Sequence, residues 1–468
     1  MDSQVLNDHS NLDKAHIILE QQKQYFQRGE TRDISFRIEQ LNTLYKAIKG
    51  YEKKLLDALY KDLRKSEFEA YATEIGLILD EIRFVTKNLK SWAKIEKVKT
   101  PFSLFPSKGY IYKEPYGSVL IIAPWNYPFQ LLIAPLIGAI AAGNCAVLKP
   151  SEYTIHVSQV LAEMIREIYD EEYVCVLQGK RNISTLLVNQ PFDHIFFTGS
   201  AAVGKIVMEA ASKHLTPLTL ELGGKSPCII DRYADIPKAA RRVAWGKFLN
   251  AGQTCVAPDY LMVHKSIKQP FLQELFKSIH TFYGEDPSTS KDYPRIINTK
   301  HFHRLVSLLD RGELLIGGHH NIDDLYISPT VIDHITWDDP IMQEEIFGPL
   351  LPIIEFEELE DIIFTVNNHP KPLALYIFSE DKHVQDEILQ YISFGGGCIN
   401  DTVTHVATSY LPFGGVGHSG MGAYHGKASF DVFSHQKSIL KKSTKLDIPI
   451  IYPPYSIKKV KLLKKLLR

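Results

Sequence analysis

Between Ser118 and Leu148 the chain is more apolar than anywhere else along its length, yet Pro124, Trp125, Asn126, Pro128, Gln130, Pro135 and Asn144 interrupt the run. A membrane-spanning helix needs about 20 mostly apolar residues without such breaks. The segment therefore has to lie inside a folded protein. Its pattern divides into a strand over 119–123, a rigid turn, a helix over 131–142 and a second strand over 146–148. The succession continues with a helical pattern at 156–169, a strand at 194–197 and a helix at 202–213. Strands separated by helices of this length predict parallel pairing, because a parallel crossover needs about a dozen residues or more. Residues 217–230 carry the Gly223-Gly224 turn and Pro227, after which the alternation restarts with a helix over 236–250 and a strand over 260–264. This predicts a domain boundary near Glu221.

A chain of 468 residues is also too long for one core, since domains settle at about 50–250 residues. Ahead of the α/β part, residues 36–99 place Ile38, Leu41, Leu44, Tyr45 and Ile48 at helical spacing among many charges, the pattern of amphipathic helices. The 53 basic and 54 acidic side chains nearly cancel, so no global field points to nucleic acid. Five cysteines, Cys145, Cys175, Cys228, Cys255 and Cys398, form no C-x-x-C pair and no ligand cluster, which predicts a reducing cytoplasm and no metal. Residues 1–30 lack the apolar core of a secretory signal, so the mature protein is expected to begin here.

Five segments carry chemistry. In Phe248-Leu-Asn-Ala-Gly-Gln-Thr-Cys-Val256, a cysteine follows a flexible glycine turn that can present both a thiol and its own N–H to a carbonyl. A lone cysteine is more often inert core, and a free thiol of pKa about 8.5 needs a base or positive potential to attack. Two carboxylates are candidates for that base. Glu221 lies in Leu220-Glu-Leu-Gly-Gly-Lys225 and Glu345 in Gln343-Glu-Glu-Ile-Phe-Gly-Pro349, each against a glycine. The rigid turn Pro124-Trp-Asn-Tyr-Pro128 can aim the Asn126 amide at a developing oxyanion. Phe197-Thr-Gly-Ser-Ala-Ala-Val-Gly204 reads as strand, glycine turn and helix start, the arrangement that seats a pyrophosphate, although without G-x-G-x-x-G spacing.

Taken in order, the Trp-Asn-Tyr-Pro turn, Lys149-Pro-Ser-Glu152, Phe197-Thr-Gly-Ser200, Glu221-Leu-Gly-Gly-Lys225, Gly252-Gln-Thr-Cys255 and Glu345-Ile-Phe-Gly-Pro349 resemble the aldehyde dehydrogenase superfamily. Cys255-Val-Ala-Pro-Asp-Tyr260, Leu411-Pro-Phe-Gly-Gly-Val-Gly-His-Ser-Gly-Met-Gly422 and Tyr424-His-Gly-Lys427 resemble its class 3 and fatty aldehyde branch. The resemblance runs from about Phe36 to Lys437. It implies an α/β fold with a Rossmann-like cofactor domain over 1–221, an α/β catalytic domain over 222–397, and a small β oligomerisation arm. The arm is built from 103–117 and a return segment over 398–436. It further implies Cys255 as nucleophile, Asn126 with the Cys255 N–H as oxyanion donors, and Glu221 as first choice of base for deacylation. Lys149 and Glu152 are expected at the adenosine ribose, Gly199, Ser200 and Gly204 near the pyrophosphate, and Glu345 and Phe347 at the nicotinamide ribose.

The implied reaction is oxidation of an aldehyde, aliphatic of medium or long chain or aromatic, to a carboxylic acid by a homodimer with NAD, NADP being tolerated in the class 3 branch. Glu152 favours NAD, since a carboxylate accepts from a ribose 2′-hydroxyl and repels a 2′-phosphate. A related enzyme that passes the acyl group to CoA or phosphate would share the thioester, and retention of Glu221 favours hydrolysis. A scavenging or structural protein on the same fold would have lost Cys255, Asn126 or Glu221. In the tail over 437–468, Ile457, Val460, Leu463 and Leu467 share a helical face and Lys458, Lys459, Lys461, Lys464, Lys465 and Arg468 take the rest. Such a helix suits peripheral contact with anionic lipid as well as a solvated end.

Overall fold

The computed structural model describes residues 2–447 and 449–466. Four helical segments come first, α1 (Asp2–Arg28), α2 (Ile34–Leu63), α3 (Glu67–Ala70) and α4 (Gly76–Trp92), with a π-helical turn at Tyr71–Ile75 between the last two. The amphipathic pattern predicted over 36–99 thus ends at Trp92. Glu96–Val98 instead forms β1, antiparallel to β2 (Ser107–Pro115), a case of tertiary pairing overriding a charged local sequence. The helix α1 was hidden by its polar composition, yet Ala15, Ile18, Leu19, Gln22 and Tyr25 are buried at helical spacing.

Next come β3 (Ser118–Ile122), α5 (Gln130–Ala142), β4 (Cys145–Lys149), α6 (Ile155–Ile168), β5 (Val174–Val176), α7 (Arg181–Val188), β6 (His194–Thr198), α8 (Ala201–Ser212) and β7 (Leu218–Glu221). Every residue of β3, β4 and β6 is buried, and so is all of α5 beyond Gln130, which is why these elements read as continuous apolar runs. The strands lie in the order β7-β6-β3-β4-β5 and all pair in parallel. From β3 the chain builds outward through β4 and β5, then returns to the other side with β6 and β7. The reversal puts a crevice beyond the carboxyl ends of β3 and β6, where open α/β sheets bind ligands.

Between Glu221 and Pro227 the chain leaves this sheet for a second. The second half comprises β8 (Pro227–Ile230), α9 (Ile236–Phe248), β9 (Tyr260–His264), α10 (Lys268–Tyr283), α11 (Thr299–Val306), β10 (Glu313–Ile316), β11 (His320–Asn321), β12 (Tyr326–Ile327) and β13 (Thr330–Asp333). It continues through α12 (Pro340–Gln343), β14 (Leu350–Phe356), α13 (Leu359–Asn367), β15 (Ala374–Phe378), α14 (Lys382–Tyr391) and β16 (Gly396–Ile399). The second sheet runs β10-β13-β14-β9-β8-β15-β16, parallel except at β10.

The last part returns to earlier layers. A two-residue strand, β17 (Gly420–Met421), closes the edge of the first sheet against β7. After α15 (Gly426–Val432), β18 (Ser434–Lys442) pairs with β2 along its whole length, giving a three-stranded layer β1-β2-β18. The stretch expected to be tail from Lys437 therefore begins as strand, its register supplied by β2 rather than by any alternation of its own. Beyond it lies α16 (Ile457–Leu466), and Leu467 and Arg468 of the proposed apolar and basic faces fall outside the described residues.

Candidate active site

A cleft of about 700 Å³ opens where the carboxyl edge of the first sheet meets the amino edge of the second. From the first sheet come Pro124, Trp125 and Asn126 after β3, Thr198, Gly199 and Ser200 after β6, and Glu221 at the end of β7. From the second come Cys255 ahead of β9 and Glu345 and Phe347 ahead of β14. Residues 126 and 345 of the chain thus line one cleft because two strand-to-strand switch regions face each other.

The turn holding Cys255 is set by backbone that few residues tolerate. Asn250, Ala251 and Gly252 have φ of 51°, 52° and 73°. A side chain at Gly252 would meet the Gly348 carbonyl at 2.2 Å, so the Cys255 turn sits directly on the Glu345–Pro349 segment. Asn126 Nδ2 donates to the Gln253 carbonyl at 3.0 Å, and Tyr127 Oη lies 2.7 Å from Thr254 Oγ1, so the Trp-Asn-Tyr-Pro turn is tied to the cysteine turn from both sides. The Asn126 Oδ1 is buried without a hydrogen-bond partner.

The charged groups that act on Cys255 are carboxylates. Burial raises the Cys255 thiol well above its ordinary range, and Glu345 and then Glu221 add to the effect, because a carboxylate beside a thiolate disfavours it. Glu221 is 2 % exposed and neither carboxyl oxygen has a hydrogen-bond partner; burial alone drives its pKa well up. Glu345 is pushed up to about 8 by burial and by Asp259, against the lowering effect of a hydrogen bond from the Gly224 N–H. Its carboxylate lies so close to Gly223 that a Cβ there would stand 2.0 Å from Oε2, which explains a glycine at that position. Phe347, itself at φ 50°, packs edge-on against Trp125 at 5.3 Å.

Of the groups expected at a dinucleotide, Gly199, Ser200, Glu345 and Phe347 line this cleft. Ser200 caps α8 by accepting from the Val203 N–H, and Ala201 and Ala202 line the cleft with first-turn amides of the kind a helix start leaves without intrahelical acceptors. The helix start therefore fits a pyrophosphate. Gly204 lies one turn in and does not line the cleft; a Cβ there would meet Leu222 at 2.7 Å, so this glycine serves the packing of α8 on the Glu221 loop. Lys149 and Glu152 also stand outside the cleft lining. Lys149 is buried at the end of β4, its Nζ donating to the Pro150 carbonyl at 2.7 Å and lying 3.7 Å from Glu152.

Several residues of the site escaped the sequence reading. Lys225 Nζ is held by Asp259 at 2.5 Å and by the carbonyls of Ile341 and Glu344, while Asp259 also accepts from the Ile346 N–H at 2.9 Å. Arg304 donates to the carbonyls of Glu345 and Ile346. Asp259 lay within a quoted motif and its charge among apolar neighbours was a usable signal; Arg304 carried none.

The profile of the aldehyde dehydrogenase family matches residues 6–439. The 4,4'-diaponeurosporen-aldehyde dehydrogenase of Staphylococcus aureus is 54% identical over 435 residues, covering 92% of this chain and 95% of that protein. The dimeric NADP-preferring aldehyde dehydrogenase of Mus musculus is 47% identical over 426 residues, covering 91% and 94%. A solved structure described as the substrate-bound state of Staphylococcus aureus AldH superposes with a TM-score of 0.95 at 52% identity, covering 97% of this chain and 99% of that one. The chain belongs to the aldehyde dehydrogenase family and is an oxidoreductase that oxidises an aldehyde with NAD(P).

Proposed function

We propose that oxidation proceeds through a thioester on Cys255 and ends in hydrolysis to the carboxylic acid. The observation that carries this reading is the meeting of Cys255, Asn126 and a partnerless Glu221 carboxyl on one cleft. The Cys255 thiol gives up its proton to solvent, the thiolate Sγ adds to the aldehyde carbon, and the oxygen becomes an alkoxide received by the Asn126 amide and the Cys255 N–H. A planar aldehyde does not readily expel hydride, whereas this tetrahedral adduct does, collapsing to the thioester. When bound, the nicotinamide supplies the hydride acceptor. Glu221 then takes a proton from a water that attacks the thioester carbon, the C–S bond breaks, and the acid leaves with the thiol restored.

In the same reading Glu345 and Phe347 hold the nicotinamide ribose, Gly199, Ser200 and the start of α8 take the pyrophosphate with Gly204 behind them, and Lys149 and Glu152 reach the adenosine ribose. Residues up to Glu221 make the cofactor domain, 222–397 the catalytic domain, and β2 with the return segment the oligomerisation arm. The aldehyde is aliphatic, of medium or long chain, or aromatic: Trp125, Leu131, Met342 and Phe347 give the cleft apolar walls. The enzyme is a cytoplasmic homodimer, its pairing supported by the exposed edge strand β18. Among the described residues no helix is long and apolar enough to cross a membrane. Peripheral contact through α16 is supported by exposed Ile457 and Val460 on one face among Lys458, Lys459 and Lys461.

NADH absorbance followed with an aldehyde, NAD and no CoA tests the hydrolytic reading. Sustained turnover is expected, and activity that appears only on adding CoA or phosphate would replace hydrolysis by acyl transfer.

A further inference from the structure

Lys65 and Glu74 form an ion pair with no side-chain exposure at all, Nζ to Oε1 at 2.6 Å, and no step of the reaction uses either group. Desolvating two charges is costly, and such a pair persists where its remaining hydrogen bonds are well satisfied. Here they are, and every partner belongs to the oxyanion turn or the helix behind it. Lys65 Nζ donates to the Asn126 carbonyl at 2.9 Å and stands 3.9 Å over the Tyr127 ring. Glu74 Oε2 accepts from the Phe129 N–H at 2.9 Å and the Gln130 N–H at 3.3 Å, capping the start of α5.

The local chain explains how both groups turn inward. Arg64, at φ 57°, ends α2 and reverses the backbone just before Lys65, and Ser66 caps the short α3. The π-helical turn Tyr71–Ile75 then inserts its extra residue where Glu74 must face α5 rather than solvent, the kind of local unwinding that recurs at functional sites. From the same segment Glu69 accepts the Asn250 N–H at 2.9 Å, and Asn250 Nδ2 is the second donor to the Asn126 carbonyl, also at 2.9 Å. One stretch, Lys65 to Glu74, thus grips both the oxyanion turn and the cysteine turn.

We propose that the Lys65–Glu74 pair positions the Asn126 amide for the alkoxide, Lys65 through the Asn126 carbonyl and Glu74 through the amides that follow it. This rests on the reading of Asn126 as oxyanion donor. The test is a double-mutant cycle of Lys65→Met and Asn126→Ala, read as kcat/KM for the aldehyde at saturating NAD, with NAD binding and the unfolding midpoint measured alongside.

Asn126→Ala alone is expected to lose roughly 10²–10³-fold, as for one oxyanion donor. Lys65→Met is expected to lose roughly 10²-fold, the scale of a small displacement at a reacting centre, with NAD binding unchanged. In the Asn126→Ala background Lys65→Met should then cost less than about twofold, because its effect runs through the lost amide. Glu74→Gln, which keeps an acceptor for the two amides while removing the charge, carries the same cycle if Lys65→Met does not fold. A full, additive loss in the Asn126→Ala background, or no loss on the wild-type background, overturns the positioning role alone. Wild-type rates in Asn126→Ala would overturn the oxyanion assignment and this proposal with it.

Discussion

Cys255 shares its cleft with two carboxylates that act on it, the wrong electrostatic company for a resting thiolate. Burial, Glu345 and Glu221 each hold the thiol protonated, with Glu345 contributing more than Glu221. If Cys255 is the nucleophile, as proposed, it must lose a proton before it attacks, against the opposition of both carboxylates. Glu345 ionises at about 8, so above that pH it stands charged beside the sulfur. Replacing it by glutamine removes a negative charge, which lowers the thiol pKa; one unit is tenfold in thiolate fraction. Glu345→Gln is thus expected to react with iodoacetamide roughly tenfold faster than wild type near pH ~9. An unaltered rate would mean that the sulfur does not sense Glu345.

At the scale of elements, much of the arrangement was legible in the sequence because buried parallel strands must be apolar on both faces. The strands at 119–123, 146–148 and 194–197 and the helices at 131–142 and 156–169 appear within a residue or two of their observed bounds, whereas the three-residue β5 and the eight-residue α7 were too short to read. What stayed hidden follows from the same physics. β1 and the end of β18 are lysine-bearing and exposed, so only pairing with β2 defines them. The helix α1 carries its few buried side chains among many charges, and its apolar stripe is narrow. At the site, motif residues could be read because glycines, prolines and asparagines advertise turns, and Gly252 and Gly223 are glycines for the close approach of Gly348 and Glu345. The Lys65–Glu74 pair and Arg304 gave no sign, since a charged residue among other charges looks solvated until its partner 41 or more positions away is known.

For the whole molecule, the near balance of 53 basic and 54 acidic groups hides a local excess at the end of the chain. Lys458, Lys459, Lys461, Lys464 and Lys465 lie on or beside one short helix whose Ile457 is 77% exposed. Basic groups near an anionic surface contribute about 1 kcal/mol each, a contribution that salt weakens and on which the proposed peripheral contact rests. Full-length protein is expected to co-sediment with anionic liposomes at low salt and a chain ending before Tyr455 to remain in solution; equal binding of the two would remove the tail from the account.

The two sheets bring a strand end, a glycine turn and a cysteine turn to one cleft, and the division of labour proposed there, Asn126 for formation of the thioester and Glu221 for its hydrolysis, makes the two half-reactions separable by mutation. The most direct measurement is therefore made on Glu221→Gln, mixed with NAD and an aldehyde and followed by intact-protein and peptide mass spectrometry alongside NADH absorbance. The expected result is a burst of about one NADH per site, followed by slow turnover, with the acyl mass retained on the peptide that contains Cys255. Unmodified protein turning over at the wild-type rate would contradict it.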